Sequence, residues 1–218
     1  MGHYPVSLDI SGRKCVIIGG GEVAERKARR LVSCGADLYV VCRSLSPGLE
    51  EMKRGGRLTH VRDDYRAEHL DGAFLAIGAT DDRAVNERIF RDARKERVLI
   101  NVVDDPRLCD VILPALCERG GLQIAVSTGG KSPALAKKLR EDLEKEYGPE
   151  YGILLDIMGA LREKILPRGY DASRNRSLFE AVVRSDILHG IRERDWKRVR
   201  RDILDLTGED LEGLERFA

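Results

Sequence analysis

Lys14–Val32 reads KCVIIGGGEVAERKARRLV, a buried strand, a glycine turn and a helix in immediate succession. Cys15, Val16, Ile17 and Ile18 form a short continuous apolar run, as a parallel strand covered on both faces requires. Gly19, Gly20 and Gly21 break it. Ala24, Ala28, Leu31 and Val32 then recur at helical spacing, with Arg26, Arg29 and Arg30 on the opposite face. Aligned on Gly19, Gly21 and Ala24, the turn is G-x-G-x-x-A, the dinucleotide-binding fingerprint. Gly19 permits the tight turn, Gly21 lets the backbone approach a pyrophosphate, and Ala24 keeps the helix close to the sheet. Free N–H groups and the positive end of the helix dipole then face the phosphates. The strand before and the helix after are the context that makes the motif specific.

Outward from this stretch, 218 residues suffice for one large or two small domains with a real core. Lys and Arg total 38 against 37 Asp and Glu, a net charge of +1, so no polyanion-binding bias appears. The few aromatic residues are too dispersed for a base-stacking platform, so nucleic acid is not indicated. Cys15, Cys34, Cys42, Cys109 and Cys117 are odd in number and form no C-x-x-C pair, which reads as reduced thiols of an intracellular protein. No apolar run approaches the ~20 residues of a membrane span. The opening MGHYPVSLDI has no basic stretch followed by an apolar one, so no signal peptide is expected and the expected location is cytoplasmic.

Residues 1–113 alternate strand and helix. After the 14–18 strand and the 22–34 helix come LYVVC (38–42), a helix near 47–55 and a short strand RLTHV (57–61). AFLAIGAT (73–80), a helix over 82–96 and VLINVV (98–103) follow. Repeated βα units predict an α/β fold with a parallel, doubly wound sheet and a ligand crevice at the carboxyl ends of its strands. In 114–149 the pattern changes. ILPALCERGGLQIAVSTGG (112–130) reads as two strands around Gly120 and Gly121, a hairpin signal, and a helix follows from Ser132 with Pro133 at its first position. A lone hairpin plus helix has little core, so this segment is expected to complete itself against a second copy of the chain. Residues 150–218 read as helical throughout.

Three strand ends carry dense polar residues: GATDD (78–82), NVVDDP (101–106) and STGGKSP (127–133). Asp81 or Asp82 would cap the next helix, and Ser or Thr is favoured at such positions in any case. Asp104 has less structural excuse, because no helix is predicted after it. The histidines His3, His60, His69 and His189 are scattered, and no Cys/His spacing fits a fixed metal site. There is no G-x-S-x-G elbow and no Walker A lysine. RERDWKRVRR (192–201) is basic, but Trp196, Val199 and Ile203 give it an apolar stripe, so a solvated helix face is expected rather than a substrate-attracting patch.

The chain resembles the precorrin-2 dehydrogenase and sirohydrochlorin ferrochelatase family, the N-terminal module of siroheme synthases. The resemblance rests on YPVSLDISGRKCVIIGGGEVAERKARRL, AFLAIGATDDRAVN, NVVDDPRLCDVILPA and IAVSTGGKSPALAKKLRE. It implies an NAD-binding Rossmann domain, a dimerisation segment that interlocks two subunits of a homodimer, and a helical domain completing the substrate cleft. The implied reaction is oxidation of precorrin-2 to sirohydrochlorin with NAD⁺ as hydride acceptor, and some members also insert Fe²⁺. The family's aspartate maps onto Asp104, a general base that also helps remove pyrrole protons during metal insertion. Hydride removal leaves a cation that must shed a proton, which suits a carboxylate.

By the same resemblance Gly19, Gly21, Glu22 and Val23 lie at the pyrophosphate turn, and Arg43 and Ser44 near the adenosine ribose. Thr80 joins the cofactor candidates. Ser127, Thr128, Gly129, Lys131 and Ser132 are the substrate-binding candidates. Some relatives carry a phosphorylatable serine where this chain has Thr128, so that feature is not carried over. The residue rule disagrees with the resemblance at one point. An NAD enzyme is expected to have an acid at the end of the second strand, whereas an arginine suggests a 2′-phosphate. VCRS stands there with no acid. The family lacks that acid and still uses NAD, so NAD is the expected cofactor. Two alternatives stay open: a dehydrogenase without chelatase activity, and a nucleotide-sensing regulatory module.

Overall fold

The computed structural model describes residues 3–217. The chain divides between Leu113 and Pro114 into two compact units. In the first, β1 (Lys14–Ile18), β2 (Asp37–Val41), β3 (Thr59–Val61), β4 (Leu75–Gly78) and β5 (Leu99–Val102) form one sheet in the order β3-β2-β1-β4-β5. Every pairing is parallel. The helices α1 (Glu22–Ser33), α2 (Pro47–Arg54) and α3 (Arg83–Lys95) lie in three of the crossovers, and a 3₁₀ turn at Ala67–Leu70 lies in the fourth.

The sheet is covered on both faces because its central strands carry apolar residues in succession, and their alternation sorts them. Cys15, Ile17, Leu38, Val40, Leu75 and Ile77 pack with Ala24, Ala28 and Leu31 of α1 and Leu49 and Met52 of α2. Val16, Ile18, Val41, Ala76 and Ile100 pack on the other side with Ile89 and Ala93 of α3. The chain runs outward from β1 to β3, then returns to place β4 beside β1. That reversal opens a crevice at the carboxyl ends of β1 and β4.

Several strands are shorter than the apolar runs predict. Ala73 and Phe74 lie before β4 and Val103 lies after β5, yet all three still pack against the core. Ala79 and Val103 each donate one more bond, to Ile18 O (2.8 Å) and Gly78 O (2.9 Å), before the backbone turns away. Asp82 and Glu96 are the caps of α3 rather than members of it.

In the second unit β6 (Ala115–Arg119) and β7 (Leu122–Val126) form an antiparallel hairpin. It is followed by α4 (Pro133–Glu146), α5 (Glu150–Ile165), α6 (Ala172–Arg184), α7 (Ile187–Arg192) and α8 (Trp196–Thr207). The hairpin has backing from its own chain. Arg119 donates to Tyr147 O and Glu144 O, both at 2.7 Å, at the carboxyl end of α4, where a cation is favoured. A Cβ on Gly152 of α5 would sit 2.7 Å from Arg119 O, so the helix backbone lies directly against the strand. Ile157, Leu161, Ile165, Val182, Ile187, Ile191, Val199 and Ile203 form the helical core. The apolar stripe of α8 is therefore internal. Its arginines are paired, Arg200 with Asp210 (2.5 Å) and Arg198 with Asp186. All five cysteines are unpaired. Among the described residues no helix is long and apolar enough to cross a membrane.

Candidate functional site

The glycines of the first turn answer to different neighbours. Gly19 has φ +129, and a Cβ there would lie 2.2 Å from Ala79 O at the end of β4. A Cβ on Gly20 would lie 2.0 Å from Ser44 O. A Cβ on Gly21 would meet no protein atom within 4 Å and would point into open space. Gly19 and Gly20 are thus required by the protein itself, whereas the space at Gly21 is left for something else. The importance of Gly20 was not visible in the fingerprint, because its partner comes from the loop after β2.

Helix α1 begins at this turn without a side-chain cap. The neighbouring α2 and α3 are capped by Ser46 and Asp82. The first helical bond of α1 is Glu25 N to Gly21 O (3.0 Å), so the N–H groups of Glu22, Val23 and Ala24 have no partner within the helix. Uncapped donors and the positive dipole end together make an anion site.

These groups open onto a cleft of about 900 Å³, within the usual range for ligand sites. Gly19, Gly21, Glu22, Val23, Arg43, Ser44 and Thr80 all line it, and so does Asp104. The cofactor candidates and the candidate base are brought into one cavity from four strand ends. The open position at Gly21, the unbonded amides and the volume fit the pyrophosphate of a dinucleotide.

The loop carrying Arg43 and Ser44 is held in place. Ser46 N donates to Gly20 O (2.8 Å), and Ser46 Oγ donates to Glu25 Oε2 (2.6 Å). Arg43 forms a two-point pair with Asp64 (Nε–Oδ1 2.7 Å, Nη2–Oδ2 2.5 Å). Thr80 Oγ1 lies 2.9 Å from Asn86 Oδ1, and Asn86 Nδ2 donates to Thr80 O (2.9 Å). Asn86 is buried, so Thr80 is positioned from beneath.

The adjacent aspartates after β5 part company. A 3₁₀ turn, Pro106–Leu108, does follow the strand, contrary to the expectation that nothing helical would. Asp105 caps it and also binds Arg107 (2.9 and 2.7 Å), which holds its carboxyl below the ordinary range. Asp104 has left-handed φ (+62), is exposed, and its carboxylate makes no hydrogen bond or ion pair among the described residues. Asp81, also on the cleft, is equally unbonded. Lys27 of α1 is a neighbour that sequence reading passed over. Burial, with Arg26 beside it, lowers its pKa, while Asp104 and Cys109 pull it back up. Val103 and Val111 pack into the α1 cluster, and this brings the segment after β5 against that helix.

Ser127, Thr128, Gly129, Lys131 and Ser132 come together in the second unit as the turn before α4. Thr128 Oγ1 accepts from Ser132 N (3.1 Å), Ser127 Oγ accepts from Gly129 N (3.3 Å), and Ser132 Oγ caps α4 through Leu135 N (3.2 Å). Their hydroxyls serve the turn, and Lys131 alone of the five keeps a side chain free of such bonds. Among the described residues no group of three or more His, Cys, Asp or Glu side chains is arranged to hold a metal.

Comparison with known proteins agrees with this geometry. Residues 6–115 match the family described as putative NAD(P)-binding, and residues 119–146 match the sirohaem biosynthesis protein central family. Siroheme synthase of Photobacterium profundum is 36% identical over 210 residues, covering 95% of this chain and 44% of the relative. That of Nitrosospira multiformis is 41% identical over 187 residues, covering 84% and 40%. The chain thus spans less than half the length of these curated relatives. The solved structure of SirC, precorrin-2 dehydrogenase, superposes with a TM-score of 0.79 at 26% identity, covering 95% of this chain and 100% of that one. The chain belongs to the putative NAD(P)-binding family and is similar, over nearly its whole length, to siroheme synthases and to SirC, precorrin-2 dehydrogenase.

Proposed function

We propose that the chain oxidises precorrin-2 to sirohydrochlorin with NAD⁺ as the hydride acceptor. The observation that carries this reading is the single cleft shared by the uncapped end of α1 and the unbonded carboxylate of Asp104. Bound there, the nicotinamide supplies the hydride acceptor. The amides of Glu22 and Val23 would orient it through its pyrophosphate, with Gly19 permitting the turn and Gly21 leaving room. Arg43, Ser44 and Thr80 complete the cofactor wall. Asp104 takes the proton that the oxidised macrocycle sheds, and its lack of partners leaves its oxygens free to do so. Of the substrate candidates, Lys131 has the charge and the freedom to meet a substrate carboxylate, while Ser127, Thr128, Gly129 and Ser132 hold its turn. The names of the relatives and of the superposed structure support the substrate. The unpaired thiols support a reducing, cytoplasmic setting.

A specific observation favours iron insertion as a second activity. Asp81 and Asp104 line the same cleft, both unbonded, and Fe²⁺ as substrate displaces two pyrrole protons that two carboxylates can accept. The test is incubation of the purified chain with precorrin-2 and NAD⁺. The expected outcome is sirohydrochlorin and NADH in equal amounts. Asp104→Asn is expected to keep NAD affinity within about twofold and to cut turnover by about two orders of magnitude or more. Full turnover by Asp104→Asn would remove Asp104 from the mechanism. Adding Fe²⁺ to sirohydrochlorin with and without the chain tests the second activity, and equal rates would exclude it.

A further inference from the structure

The end of β2 lacks the acid that an NAD site ordinarily uses and carries Arg43, a residue suited to a 2′-phosphate. An acid comes instead from the loop after the neighbouring strand. Val41 pairs with Val61 in the parallel register of β2 and β3, so the chains leaving these strands emerge side by side. Cys42 N donates to Val61 O (3.1 Å), and His60 Nε2 lies 3.0 Å from Cys42 O, which keeps them aligned one residue further. Arg43 and Asp64 follow directly and close the two-point contact at 2.7 and 2.5 Å.

This contact changes what Arg43 can do. One two-donor edge of its guanidinium, Nε and Nη2, is engaged by a carboxylate of the matching geometry, which also offsets its charge. The adjacent Asp63 is taken by Arg66 and does not compete for Arg43. Arg88 also acts on Asp64, through charge alone. Asp64 retains lone pairs beyond the two used by Arg43 and so can still accept from a ribose hydroxyl. A phosphate ester in the same place is an acceptor only. It would face Asp64 as a like charge and would compete with that carboxylate for Arg43.

We infer that Asp64, acting with Arg43, is the residue that selects NAD over NADP. The inference rests on the reading of the cleft as a nicotinamide dinucleotide site and goes beyond it by naming the selecting residue, which lies outside the fingerprint and in the loop after a different strand from the usual acid.

The test is equilibrium titration of the purified chain with NADH and with NADPH, with no tetrapyrrole present, so that it stands apart from the identity of the substrate. The wild type is expected to prefer NADH. Asp64→Asn is expected to tighten NADPH binding about tenfold relative to NADH, by freeing Arg43 and removing the opposing charge. Asp64→Asn combined with Arg43→Met is expected to lose that gain, since the gain depends on the arginine. Both positions are exposed, and circular dichroism of each variant checks that the fold is kept. An NADPH-to-NADH affinity ratio unchanged within twofold in folded Asp64→Asn would overturn the inference. So would a gain that survives the loss of Arg43. Binding of neither nucleotide by the wild type would overturn the cofactor reading and the inference with it.

Discussion

Gly19 and Gly21 stand two residues apart in one turn and are glycine for different reasons, so substitution should separate them. Alanine at Gly19 combines an unfavourable φ with a 2.2 Å approach to Ala79 O. Gly19→Ala is expected to lower unfolding stability by about 1–3 kcal/mol or more, measured by denaturant titration. Alanine at Gly21 meets an ordinary backbone conformation (φ −85) and no protein atom. Gly21→Ala is expected to change stability by less than about 0.5 kcal/mol while weakening NADH binding, and Gly21→Asp to abolish binding through charge and bulk. Equal stability losses at the two sites would contradict this division. The fingerprint was legible in the sequence because all its parts are neighbours along the chain. Asp104 was legible as the candidate of the pair, but only the backbone shows that Asp105 caps a turn and that Asp104 is left unbonded. Lys27 and Asp64 were not legible at all. Lys27 reads as one more cation beside Arg26, and Asp64 reads as loop, until packing brings distant segments together.

At the scale of elements, Glu25 couples α1 to α2. Its carboxylate accepts from Ser46 Oγ (2.6 Å) and Arg29 (2.7 Å) and lies against Gly48, where a Cβ would come within 2.0 Å of Oε1. Ser46 is both the cap of α2 and the link to Gly20, so one carboxylate steadies the wall of the cofactor cleft. The Ser46 hydroxyl, then Arg29, hold Glu25 below its ordinary value of 4.5. The sign follows from that direction. The contribution is fully present above the unfolded value and is lost as pH falls through the lowered folded value. Glu25→Gln is therefore expected to speed hydrogen exchange at the amides of the Ser46–Leu49 turn and to weaken NADH binding several-fold at neutral pH. The difference from wild type should shrink as the pH is taken below 4.5, and an undiminished difference there would show that the carboxylate charge is not the cause. Strand and helix order in the first unit was legible because each buried strand is a run of apolar residues closed by glycine or aspartate. Strand ends were less so, since Phe74 and Val103 are as apolar as strand residues and still bond to neighbouring strands, yet lie just outside β4 and β5.

At the scale of the molecule, α4 of the second unit keeps apolar side chains that the rest of that unit leaves exposed. Leu135 and Leu139, one helical turn apart on α4, are 48% and 40% exposed. They lie within the stretch that matches the sirohaem biosynthesis central family. The homodimer that the resemblance implies would bury this face. Sedimentation equilibrium is expected to find a dimer, and Leu139→Glu is expected to shift it toward monomer. A monomeric wild type would remove the dimer from the account. The sequence pointed to this segment for a different reason, a hairpin too small to stand alone, and the structure shows that α4 and α5 already back it. What α4 leaves exposed could be found only by seeing which of its leucines the hairpin does not reach.

In the proposed reaction a hydride passes from precorrin-2 to a nicotinamide held at the Gly19–Gly21 turn while Asp104 takes the proton. Precorrin-2 carrying deuterium at the carbon that gives up its hydride, incubated with the chain and NAD⁺, tests this most directly by mass spectrometry of the recovered NADH. The predicted result is one deuterium per NADH, in amounts equal to the sirohydrochlorin formed, with the same label but a far lower rate in Asp104→Asn. Sirohydrochlorin formed without label in NADH, or none formed by a chain that binds NAD, would contradict it.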